Sequence, residues 1–90
     1  MRKVEYNEIY NLFDEGDIEA KIDLGNGEYV KLIESNCIWD LGIETNGGFY
    51  ITLDCLGGNS ALLLSGYEDY INTFVYLLNE YIEEQNNKAA

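Results

Sequence analysis

Histidine is absent from this chain of 90 residues, and cations are scarce: five Lys and Arg stand against 17 Asp and Glu. Without histidine the usual general base near neutral pH is missing, along with the Ser-His-Asp arrangement and most zinc sites. The charge balance is 5 − 17 = −12 at pH 7. Between Leu32 and Asn87 no Lys or Arg occurs, while nine acids do: Glu34, Asp40, Glu44, Asp54, Glu68, Asp69, Glu80, Glu83 and Glu84. Phosphates are held by Lys and Arg, so direct binding of nucleic acid or of an anionic membrane is not expected.

Other shortages narrow the field further. Cys37 and Cys55 are the only cysteines, too few for a secreted disulfide framework. No apolar run approaches the ~20 residues that a membrane span requires. The opening Met1-Arg2-Lys3-Val4-Glu5 is no apolar signal segment, so a cytoplasmic location is expected. Gly57-Gly58-Asn59-Ser60 lacks the lysine and spacing of a phosphate-binding loop. Asp14, Glu15, Asp17 and Glu19 bunch around Gly16 without the alternating ligands of a calcium loop, and read as a solvated loop. No cofactor, no metal and no enzymatic activity are expected.

What is present is enough for one domain over residues 1–90, with 47% apolar residues to form a core. Tyr6, Ile9, Tyr10 and Phe13 share a helical face over 4–13, and Gly16 ends that helix. Period-two alternation marks a strand at 17–24 (Ile18, Ala20, Ile22, Leu24) and another at 28 to about 34, around the Gly25-Asn26-Gly27 turn. This predicts Ile22 opposite Val30 and Ala20 opposite Leu32. A second hairpin alternates Cys37, Trp39, Leu41 and Ile43 with Phe49, Ile51, Leu53 and Cys55 around Asn46-Gly47-Gly48. It predicts pairs Ile43–Ile51, Leu41–Leu53 and Trp39–Cys55, with both cysteines as buried structural thiols. A short strand at 60–64 follows. Ser65 and Glu68 form a capping box for a helix running to about Gln85, with Asn86 to Ala90 frayed. Its apolar face is Tyr67, Tyr70, Ile71, Phe74, Leu77, Leu78, Tyr81 and Ile82. The fold class is α+β: an antiparallel sheet of four to five strands, with a short N-terminal and a long C-terminal helix packed on one face.

The outer face of the second hairpin then carries Ile38, Asp40, Glu44, Tyr50, Thr52, Asp54 and Leu56. This register sets Asp40 opposite Asp54, a destabilising like-charge pair that a basic partner would relieve. Tyr50 and Tyr29 fall on the outer sheet face and Tyr76 on the outer side of the last helix. Exposed tyrosine beside acids suits protein contact. Glu80, Glu83 and Glu84 make a rival acidic patch there, but a solvated helical face is their ordinary role, so the hairpin face is the expected contact surface. Glu68 and Asp69 sit at the helix start, where the dipole favours them.

In size, acidity and plan the chain resembles small counter-defence proteins of phages and mobile elements, the anti-CRISPR and anti-restriction proteins that mimic DNA. The resemblance rests on Asp40, Glu44, Tyr50 and Asp54 on the hairpin and on Glu68, Asp69, Glu80, Glu83 and Glu84 on the helix. It implies carboxylates in places where a nuclease expects phosphates. The expected function is that of an inhibitor filling the basic nucleic-acid groove of a partner, such as a CRISPR-associated nuclease or restriction enzyme. The expected contact residues are these nine and Tyr76. An immunity protein or antitoxin that neutralises a basic toxin is the alternative.

Overall fold

The computed structural model of the chain describes residues 1–37, 40–56 and 67–89. Helix α1 spans Tyr6–Glu15, two residues later than the periodicity suggests. A capping box sets its start, with the Glu5 N–H donating to Glu8 Oε1 at 3.0 Å. Gly16 ends it in the left-handed region at φ 65°, donating to the Leu12 carbonyl. The buried face is Ile9, Leu12 and Phe13, and Tyr10 turns outward at 36% exposure.

Strand β1 is only Ile22–Gly25. The expected strand at 17–20 is instead a local turn: Asp17 Oδ1 accepts from the Glu19 N–H and the Asp17 carbonyl from Ala20 N–H. An aspartate bonding its own following backbone offers the chain an alternative to the ladder. Ile18 is left 42% exposed, and the predicted Ala20–Leu32 pair does not form in the ladder. Strand β2 covers Glu28–Leu32, and Ile22 faces Val30 as the alternation predicts. Asn26 (φ 56°) and Gly27 (φ 79°) are both left-handed, as a tight primed hairpin turn demands.

Strands β3 (Gly42–Thr45) and β4 (Tyr50–Thr52) complete a four-stranded antiparallel sheet in the order β1-β2-β3-β4. Ile43 faces Ile51 as expected, and the Leu53 N–H donates to the Leu41 carbonyl at 3.0 Å. The hairpin is shorter than predicted at both ends. Before it, Ser35 Oγ accepts from Cys37 N–H and donates to Asp40 Oδ2, and Asp40 N–H bonds the Cys37 carbonyl, so the chain turns. After it, Thr52 Oγ1 accepts from the Cys55 N–H and a 3-10 turn spans Asp54–Leu56. Cys37 and Cys55 are consequently exposed, not buried. Asp40 and Asp54 both lie outside the ladder, so they are not opposed as strand partners. Trp39, and with it the Trp39–Cys55 pair, the strand at 60–64 and the Ser65 cap lie outside the described residues.

Helix α2 runs Tyr67–Ala89, four residues beyond the expected end. Tyr70, Ile71, Phe74, Leu78 and Ile82 are its buried stripe and pack with Leu24, Val30, Leu32, Ile43, Ile51 and Leu53 of the sheet side. Phe13 of α1 stacks on Phe74 (5.8 Å) and meets Tyr70 edge-on (6.0 Å). Residues 1–4 lie alongside the far end of the same helix. Asn79 accepts from the Val4 N–H (2.8 Å) and donates to the Val4 carbonyl (3.0 Å). Asn86 does the same for the Met1 amino group (2.7 Å) and carbonyl (2.8 Å). Seven helical residues rise about 10.5 Å and three residues of extended chain about 10 Å, so the two asparagines match the segment in register.

Candidate protein-binding surface

The location of the five cations decides where negative charge is left uncovered. Arg2 forks onto Glu8 (2.9 and 2.7 Å), and this hydrogen bond holds the Glu8 carboxyl below its ordinary range. Lys3 meets Glu83 at 3.2 Å, and Lys88 approaches Glu84 at 4.0 Å from the next turn. Lys21 lies over the Tyr29 ring, 4.4 Å from its centroid. Lys31 stands beside Glu44, its partner across β2 and β3.

The outer sheet face therefore differs from the expected acidic double row. Of Asp40, Glu44, Tyr50 and Asp54, only Glu44 and Tyr50 are on the sheet, as cross-strand partners. Tyr50 is 62% exposed, but Lys31 continues the same row and Lys21 and Asp23 edge it. The face carries both signs. Asp40 and Asp54 are exposed in turns at the end of the hairpin.

Acids collect at two other places, the second of them crossed by Lys3 at Glu83 and Lys88 at Glu84, with Glu80 making no ion pair among the described residues. Asp14, Glu15, Asp17 and Glu19 are all exposed, the first two in the last turn of α1, where the helix dipole disfavours them. Among the described residues no group of three or more potential ligands converges as a metal site.

The second collection is on α2. The 3.6-residue period puts Tyr76, Glu80, Glu83 and Asn87 on one stripe, with Glu84 beside it, opposite the buried face. Tyr76 is 63% exposed. Its hydrogen bond to Glu80 raises the phenol pKa. Glu80, Glu83, Glu84 and Asn87 border an open hollow in the surface. From Tyr76 to Asn87 the stripe runs about 16 Å at 1.5 Å per residue. Glu68 and Asp69 belong to the first turn of α2; their side chains lie outside the described residues.

Two polar devices escape a reading of apolar periodicity. One is the asparagine pair on α2; its seven-residue spacing is the signal that was available. The other joins the sheet to α2: the Tyr81 hydroxyl donates to Glu28 Oε2 at 2.7 Å, and the Tyr81 ring packs on Phe49 at 5.0 Å. Burial, then this hydrogen bond, raises the Tyr81 pKa.

Comparison with protein families, curated proteins and solved structures finds no match for this chain.

Proposed function

We propose that the protein is an inhibitor that seats the acidic outer face of α2 in the basic nucleic-acid groove of a partner protein. The observation that carries this reading is the stripe Tyr76, Glu80, Glu83 and Glu84, turned to solvent on a chain of net charge −12. Glu80 and Glu84 are separated by a rise of about 6 Å, close to the rise of two nucleotides in a strand. Tyr76 adds a large amphipathic contact at small entropic cost. A rigid helix core behind the row, with Phe74, Leu78 and Ile82 fully buried, holds the carboxylates in place. A CRISPR-associated nuclease or a restriction enzyme is the partner class that the resemblance to DNA-mimicking inhibitors suggests.

The test is a paired charge reversal read against nucleic-acid competition. Glu80→Lys with Glu84→Lys should abolish capture of the partner from host extract and leave the circular dichroism spectrum unchanged. Duplex DNA should displace the wild-type protein from the captured partner. Asp40→Lys with Asp54→Lys, both off α2, should bind nearly normally. Loss of binding in that second pair alone would move the contact surface to the hairpin end. Simultaneous binding of DNA and protein would refute groove occupancy and favour neutralisation of a basic toxin.

A further inference from the structure

The dipeptide Asn-Gly occurs twice, at Asn26-Gly27 between β1 and β2 and at Asn46-Gly47 between β3 and β4. It is the pair most open to intramolecular attack, because glycine leaves its own nitrogen unshielded. The glycine backbone nitrogen, losing its proton, bonds to the asparagine side-chain carbonyl carbon. The bond to the amide nitrogen breaks and ammonia departs, closing a succinimide. One water molecule then opens the ring at either carbonyl, leaving aspartate or isoaspartate. No cofactor or oxidant takes part.

The two sites share the reactive dipeptide and are opposite in structure. At Asn46 both reacting groups are engaged. Oδ1 accepts from the Tyr29 N–H at 2.8 Å, Nδ2 donates to the Gly27 carbonyl at 3.0 Å, and the Gly47 N–H donates to Thr45 Oγ1 at 3.2 Å. The Asn46 N–H is also held, by the Tyr29 carbonyl at 3.3 Å. Asn26 sits at the tip of its turn, exposed, and its side chain makes no hydrogen bond among the described residues. We propose that Asn26 is a site of spontaneous deamidation and isoaspartate formation in the folded protein, and that Asn46 is protected by its hydrogen bonds.

The modification has two structural consequences. It adds one negative charge to a turn already flanked by Asp23 and Glu28, and the isoaspartyl form inserts a methylene into a two-residue turn. The Gly27 carbonyl, next to the modified residue, is also the acceptor that holds Asn46 Nδ2. A shifted β1–β2 turn therefore loosens the lock on the second site, and Asn46 modification follows in chains already altered at Asn26.

The experiment is peptide mapping by mass spectrometry after incubation of the folded full chain at mildly alkaline pH, with a parallel sample in urea. In the native sample Asn26 should convert roughly tenfold or more faster than Asn46, whose several hydrogen bonds must open first. In urea the two rates should converge. Asn26→Gly, which keeps the left-handed turn and removes the reactive amide, should delay conversion of Asn46 as well. Equal native rates overturn the proposal. So does a native Asn26 that stays intact while the unfolded chain converts, or a rate difference that persists in urea.

Discussion

Asn79 and Asn86 do with side-chain amides what a neighbouring strand does with its backbone: each satisfies one N–H and one carbonyl of the same residue. The two are not equivalent. Asn79 is partly buried beside Val4, which is itself buried, while Asn86 is exposed. Water replaces a lost partner at the second site and reaches the first poorly. Asn79→Ala should therefore cost about 1–3 kcal/mol and Asn86→Ala less than ~1 kcal/mol. Asn79→Asp should be no better than alanine, because a carboxylate accepts from the Val4 N–H but sets an oxygen against its carbonyl. Urea denaturation of the variants measures this. A larger loss at Asn86 than at Asn79 would contradict the assignment.

At the scale of elements, the parts read correctly are those with an uninterrupted apolar period. The stripe of α2 and the Ile22–Val30 and Ile43–Ile51 registers come directly from spacing, because a one-residue slip would turn each strand inside out. The strand ends were not legible in the same way. At 17–20, 35–37 and 52–55 alternation continues, yet Asp17, Ser35 and Thr52 bond local backbone and turn the chain out of the sheet. Those short polar residues were the available signal, and apolar spacing outweighed them. The acidic double row on the hairpin was lost for the same reason, while the α2 stripe, lying within an unbroken helix, kept its place. The two cysteines discriminate between these readings. Exposed in turns, Cys37 and Cys55 should both react with an aqueous thiol reagent in the native protein, at rates close to those in urea. Protection of both until unfolding would restore the longer strands.

For the molecule as a whole, the ion pairs formed by Arg2, Lys3 and Lys88 are few against 17 acids. All are at the surface, where such pairs contribute little individually. The dominant electrostatic quantity is the repulsion among carboxylates, which salt screens over ~10 Å at 0.1 M and ~3 Å at 1 M. Added sodium chloride should raise the melting temperature, by roughly 5 °C for each kcal/mol of repulsion removed in a domain of this size. The same salt should weaken partner binding steeply, since steering by net charge is screened with it. Stability that rises while affinity falls is the expected pair of outcomes. An affinity indifferent to salt would point to an apolar interface instead.

The hold of Asn79 and Asn86 on residues 1–4 joins positions 75 and 85 apart in sequence. Contacts of such separation close long loops, and so form only after the sheet and helices have brought these segments together. The asparagine bonds are then absent from the transition state for folding. Removing Asn79 should leave the folding rate almost untouched and appear nearly whole as faster unfolding. The two asparagines act as a latch: they set how long the native state lasts, and the core behind them sets how quickly it is reached.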